Sequence, residues 1–212
     1  MFEHENEIYR RLGGGCRIAG VDEAGRGPLA GPVVVAAVIL PPEKDFAIPV
    51  ADSKTLTEKR REELAEQLRA DERIRWAIAI RSAADIDRLN ILRATHEAMR
   101  EAAMALNPDF VLVDGLPVPK FPLPAEFIVK GDSLSASIAA ASILAKTHRD
   151  HLLLELDAKY PEYGFAVHKG YGTARHLAAL AKYGPCPEHR RSFAPVANVL
   201  QPQPVQLELT LN

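Results

Sequence analysis

The apolar run from Cys16 to Val21 gives out into DEAGRGPLAG at residues 22–31, so two adjacent carboxylates, Asp22 and Glu23, precede an arginine set between two glycines. An acid pair with a base three positions on can be a surface turn holding a local ion pair, or half of a metal site beside an anion-binding loop. Adjacent acids after an apolar strand bring no propensity advantage, which makes the pair hard to read as structural. Two further acids stand at comparable breaks: Asp114 closes FVLVD ahead of Gly115, and Asp132 follows Gly131. Each has a structural alternative, since Asp-Gly is a common turn pair and Asp132 before Ser133 can cap a helix. If the four converge, mutual repulsion holds some of them protonated unless divalent cations neutralise them. Carboxylate donors without Cys or His suit a hard ion, Mg²⁺ or Mn²⁺, rather than zinc. Two such ions suit in-line displacement at phosphorus.

The elements that must bring these residues together alternate between strand and helix. Strand patterns cover Arg17–Asp22, Val33–Leu40, Ile74–Ile80, Phe110–Asp114 and Glu126–Lys130. Helix patterns cover Thr57–Ala70, with Thr57 as N-cap, then Asn90–Leu106, and a long stretch from Asp132 to the Pro161 break. The first two strands, joined by the glycine and proline turn, are expected as neighbours. The pattern predicts an α/β fold, a mixed central sheet flanked by helices, with the acids at element ends along one sheet edge. Residues 1–160 form the expected catalytic domain and residues 161–200 a C-terminal helical extension. Residues 201–212, QPQPVQLELTLN, are expected to be a flexible tail.

Composition bounds the reading. The 212 residues are 47% hydrophobic and 25% charged, enough for one good core. The apolar runs are far short of a membrane span and MFEHENEIYRR lacks the apolar region of a signal peptide, so the expected location is the cytoplasm, without membrane association. Two cysteines, Cys16 and Cys186, with no CxxC indicate neither a disulfide framework nor a zinc site. The formal charge of −2 hides segregation, because basic or histidine clusters recur at 59–61, 146–149, 168–169 and 189–191.

The strings DEAGRGPLAGPVVVAAV, ADSKTLTEKRREEL, VLVDG, KGDSLSASIAAASILAKTHRD and YGFAVHKGYGTARHLAALAKYGPCPEHRRSFAPV together resemble bacterial ribonuclease HII across nearly the whole chain. The resemblance implies a ribonuclease H-like fold and an endonuclease that cuts RNA in RNA–DNA hybrids and single ribonucleotides in duplex DNA, with a role in ribonucleotide removal. It implies that Asp22, Glu23, Asp114 and Asp132 hold metal, that the Gly25-Arg26-Gly27 loop inspects the ribose, and that Tyr171 stacks at the junction. Ribonuclease HIII shares the opening motif but carries a large N-terminal domain, for which the residues before Asp22 leave no room.

Physical chemistry runs beside that resemblance. Sensing a ribonucleotide means sensing its 2′-hydroxyl. Glycines flanking Arg26 let the main chain approach a sugar where a Cβ would intrude, and a deoxyribose would leave those polar groups unpaired. Ser53, Lys54, Lys146, Arg149, Lys169 and Arg191 are candidates for phosphate contacts, with Lys146 and Arg149 alternatively on the solvated side of the long helix. A non-enzymatic nucleic-acid binder would have no use for carboxylates at several element ends. A metal-dependent phosphatase would have no use for Tyr171 or the basic C-terminal segment. In the tail, QLELTL resembles the peptide by which bacterial replication and repair proteins dock into the sliding clamp, with Gln206 at the pocket entrance and Leu207, Leu209 and Leu211 as anchors; the alternative is a packed edge strand. The protein is otherwise expected to act as a monomer.

Overall fold

The computed structural model describes residues 1–201. The tail residues Gln206, Leu207, Leu209 and Leu211 lie outside the described residues. The chain begins with α1 (Glu3–Leu12), then β1 (Ile18–Ala24), β2 (Val33–Ile39), α2 (Glu58–Ala70), β3 (Arg75–Arg81), α3 (Ala83–Leu89) and α4 (Ile91–Leu106). β4 (Phe110–Asp114), β5 (Ala125–Ile128) and the long α5 (Ala136–Lys159) follow, and three short helices complete the described residues: α6 (Phe165–His168), α7 (Ala174–Tyr183) and α8 (Ala194–Leu200). The five strands form one sheet in the order β3-β2-β1-β4-β5. β1, β2 and β3 pair antiparallel, whereas β1–β4 and β4–β5 are parallel.

Helices cover both sheet faces, which explains why β2 reads VVVAAVI with no polar alternation. Its Ala36 and Val38 face a core made with Leu64 and Leu68 of α2 and the small residues of α5, while Val35, Ala37 and Ile39 face α4. The predicted mixed sheet flanked by helices is thus the observed one.

Two features fix α5 against the sheet. Gly20 of β1 lies directly beneath its first turn: a Cβ built there would stand 2.1 Å from the Ser137 carbonyl carbon and 2.3 Å from the Ile138 nitrogen. Glu5 of α1 is buried at the same helix end, and its Oε1 accepts from the Ser135 hydroxyl (2.6 Å), the Ser137 amide (2.9 Å) and the Ser137 hydroxyl (2.7 Å). A carboxylate there satisfies free helix N–H groups and complements the helix dipole.

The expectation that the long helix opens at Asp132 is corrected. Gly131–Ser133 is a single 3-10 turn, Ser135 is the N-cap of α5, and Asp132 is left free of capping duty. The helices of residues 161–200 share a core with the body, where Tyr163, Phe165, Ala179 and Cys186 pack on Ala30 and Leu153.

Candidate active site

The parallel register sets the site. Val21 of β1 is paired with Val113 of β4, so Asp22 and Asp114 come next in line on neighbouring strands. Ligand oxygens of Asp22, Glu23 and Asp114 all lie within 4.8 Å of one another. Asp132, the fourth acid expected here, falls outside that group of oxygens; it stands beside it on the 3-10 turn, paired with Lys54, and the Gly131 amide of the same turn donates to Asp114 Oδ1 at 2.7 Å. Asp22 and Asp132 are buried, and Glu23 and Asp114 are half-buried.

Electrostatics are those of a cluster short of positive charge. Burial pushes the Asp22 carboxyl well above the usual carboxylate range, and Glu23 and Asp114 add to it; the Glu23 amide and the Ser142 hydroxyl pull the other way. Burial raises Glu23 against the opposing pull of Arg26, whose guanidinium lies 3.3 Å away. Burial raises Asp114 as well, with Asp132 contributing. The Lys54 ammonium sits 2.8 Å from Asp132 Oδ2, and that hydrogen bond raises the lysine above its ordinary value. A crowded, desolvated all-oxygen set of this kind fits a hard divalent ion.

The cleft beside the acids is lined by Gly25, Arg26, Gly27, Ser53, Lys54, Lys146 and Tyr171, so most of the predicted substrate contacts do meet. Tyr171 is 49% exposed, with its ring edge 3.6 Å from where a Gly27 Cβ would stand. Lys146 is half-buried and paired with Asp150 at 2.6 Å. Lys169 lies outside this lining and pairs with Glu58 at 3.6 Å, and Arg191 lies outside it, exposed on the surface.

Two expectations are corrected. Arg149 is 1% exposed, and its guanidinium donates to the carbonyls of Pro32 (3.0 Å), Lys169 (3.0 Å) and Ala30 (3.2 Å), so it braces the main chain instead of gripping phosphate. Gly25 is glycine because it has φ +95° and because a Cβ would meet Arg149 Nε at 2.0 Å. The space its hydrogen saves is interior, not the sugar's.

Sequence reasoning missed Ser142, which bonds the Ser53 hydroxyl at 2.6 Å and steadies Asp22. Its signal was present: Ser142, Lys146 and Arg149 recur at helical spacing, and all three line the cleft. It also missed a buried relay behind Tyr171. The Cys186 amide occupies His189 Nδ1 (3.1 Å), so His189 carries its proton on Nε2 and donates to His176 Nε2 (3.0 Å). His176 then donates from Nδ1 to the Tyr171 carbonyl at 2.9 Å.

That chain requires neutral imidazoles. Burial, then the neighbouring His176, lowers His189 to about 4, and burial lowers His176. The unfolded chain takes up a proton near pH 6.5, so between there and about pH 4 it binds more protons than the folded one and stability falls with acid. His189→Gln, which keeps a donor for His176, is expected to flatten the fall in melting temperature between pH 7 and 5. Comparing the two proteins isolates His189 from the Asp22 cluster, whose raised values act in the opposite direction. Parallel curves would contradict the neutral relay.

The family model described as ribonuclease HII matches residues 19–196. A ribonuclease HII from Albidiferax ferrireducens is 57% identical over 189 residues, covering 87% of this chain and 89% of that protein. One from Geobacillus kaustophilus is 54% identical over 204 residues, covering 95% and 76%. Among solved structures, the PCNA:RNase HII complex from Archaeoglobus fulgidus superposes with a TM-score of 0.74 at 30% identity, covering 88% of this chain and 98% of that one.

Proposed function

From the premise that the chain belongs to the ribonuclease HII family, whose fold is ribonuclease H-like and whose members are metal-dependent nucleases acting on RNA paired with DNA, we propose that it also cuts at single ribonucleotides embedded in duplex DNA. The cut falls on the 5′ side of the ribonucleotide and leaves 3′-hydroxyl and 5′-phosphate ends, a step in ribonucleotide removal in the cytoplasm by a monomeric enzyme. No helix among the described residues is long and apolar enough to cross a membrane. The observation that carries the reading is the shared cleft, in which the Asp22, Glu23 and Asp114 oxygens adjoin a glycine loop and an exposed tyrosine.

Asp22, Glu23, Asp114 and Asp132 would hold the ions, with Asp22, buried beside both Glu23 and Asp114, proposed as the ligand they would share. When bound, two Mg²⁺ or Mn²⁺ ions supply a nucleophilic water and neutralise charge on the departing 3′ oxygen. The protein's own groups do the rest. Lys54, released from Asp132, and Lys146 hold the flanking phosphates, with Ser53 fixing the turn that carries Lys54; Lys169 and Arg191 are held in reserve for the more distant duplex. The Arg26 and Gly27 main chain meets the 2′-hydroxyl, and the Tyr171 ring packs on the adjoining sugar.

Gly27 offers a test because its Cβ would point only at the Tyr171 ring and its backbone needs no positive φ. Gly27→Val is expected to lower kcat/KM at a single ribonucleotide about a hundredfold, the effect of leaving one or two polar groups unmet, with an unchanged melting temperature. Wild-type turnover in this variant would remove the main-chain sensing step.

A second reading concerns the tail. Because a 30%-identical structural relative is described in complex with PCNA, Gln206, Leu207, Leu209 and Leu211 are proposed to dock on the replication sliding clamp, raising the local concentration of enzyme at newly made DNA. A peptide of the last ten residues is expected to bind the clamp with micromolar affinity, about −8 kcal/mol. Failure of the intact tail to bind, or binding that survives Leu207→Ala with Leu209→Ala, would contradict it.

A further inference from the structure

The loop from Gly25 to Pro32 joins two antiparallel strands but has almost no ladder of its own, apart from an isolated bridge between Ala30 and His189. Its shape comes from outside. Arg190 is fully buried, and its guanidinium donates from Nη2 to the Gly25 carbonyl (2.6 Å), from Nη1 to the Arg26 carbonyl (2.9 Å) and from Nε to the Gly31 carbonyl (3.0 Å). Its own amide donates to the Leu29 carbonyl at 2.8 Å, and the Phe193 ring centroid lies 5.1 Å from the guanidinium carbon. Among the described residues Arg190 has no carboxylate partner. A buried cation with five donors, aimed wholly at main-chain oxygens of one loop, is an expensive way to hold a turn that glycine and proline could shape alone.

The consequence follows from peptide geometry. In a planar trans peptide the C=O of one residue and the N–H of the next point in opposite directions. With the Gly25 and Arg26 carbonyls drawn inward onto Arg190, the Arg26 and Gly27 N–H groups are turned outward, toward the cleft that both residues line. No acceptor among the described residues takes either N–H. We infer that Arg190 is a positioning residue for ribose recognition: by gripping two successive carbonyls it presents two successive amides to the 2′-hydroxyl and its neighbouring phosphate. The inference rests on the reading that this loop's main chain senses the ribose.

Arg190→Lys tests it, because lysine retains the charge but cannot bridge two carbonyls in a fixed plane. In the full-length protein without metal, the Arg26 and Gly27 amide resonances are expected to shift with a duplex carrying one ribonucleotide and not with the all-DNA duplex. In Arg190→Lys that difference is expected to vanish, and the affinity ratio between the two duplexes to fall at least about tenfold, the loss of one or two hydrogen bonds. Mn²⁺ binding at the carboxylates, followed by titration, is expected to be unchanged. A wild-type protein whose two amides ignore the ribose would overturn the sensing reading itself. A ribose-dependent shift that survives in Arg190→Lys would overturn the positioning role alone. If Arg190→Lys lacks a cooperative melt, Phe193→Leu carries the test, since it removes the ring beside the guanidinium and leaves the donors in place. A reduced affinity ratio there supports the role, and an unchanged ratio overturns it.

Discussion

Asp22→Asn is expected to lower cleavage at a ribonucleotide by roughly a thousandfold or more while raising the melting temperature of the metal-free protein. The first effect follows from losing the charge of the ligand proposed to be common to both ions, worth several kcal/mol in a desolvated site. The second follows from the raised carboxyl. Asp22 is buried beside Glu23 and Asp114, so in the absence of metal its ionised form is disfavoured in the folded state, and neutral asparagine removes that strain. Its amide oxygen can still accept the Glu23 N–H, now 2.7 Å from Asp22 Oδ1. The sign matters: a structural acid would lose activity and stability together. Thermal melts with chelator, beside cleavage rates in Mg²⁺, separate the two. A variant that melts lower than wild type without metal, or that cuts at a wild-type rate, would contradict the assignment.

Gly20→Ala is expected to cost about 3 kcal/mol or more, a drop of about 10 °C in melting temperature for a chain this size. The methyl group would drive into the Ser137 and Ile138 backbone, which cannot swing aside as a side chain can. Relief requires moving the first turn of α5 off β1, and that turn carries the serines held by Glu5 and leads into Ser142. Activity should therefore fall even at temperatures where the variant remains folded. Circular dichroism melts of Gly20→Ala and wild type measure the first effect, and equal melting temperatures would show that the helix has room to retreat.

β1, β2 and β4 were legible because each is an apolar run closed by glycine, proline or acid, and β3 because Trp76, Ile78 and Ile80 alternate along it. Phe110–Asp114 is found with the bounds its residues suggest, and Thr57 caps α2 through the Arg60 amide as its hydroxyl predicts. The helix start at Asp132 was misread because Asp-Ser and Ser-Ala-Ser both offer caps, and only the tertiary packing of Gly131 against Asp114 and Ile138 selects Ser135. α1 was missed although its local signals were present, acids Glu3 and Glu5 in the first turn, Arg10 and Arg11 in the last and Gly13 beyond; what no local pattern states is its docking, in which Glu5 meets Ser137 across 132 positions. The acids of the site were legible as types at breaks, but their convergence depends on the parallel pairing of β1 with β4, which no local pattern states. Arg149 and Arg190 were invisible as braces for a related reason. Their partners are backbone carbonyls, and every residue carries one.

The most direct test of the whole account is a single-turnover assay on one duplex sequence in two forms, with one ribonucleotide and with none, in Mg²⁺, in Mn²⁺ and in chelator. Cleavage is predicted only in the ribonucleotide form and only with metal, on the 5′ side of that residue, leaving a 3′-hydroxyl and a 5′-phosphate. Cutting of the all-DNA form at a similar rate, or cutting that persists in chelator, would contradict it.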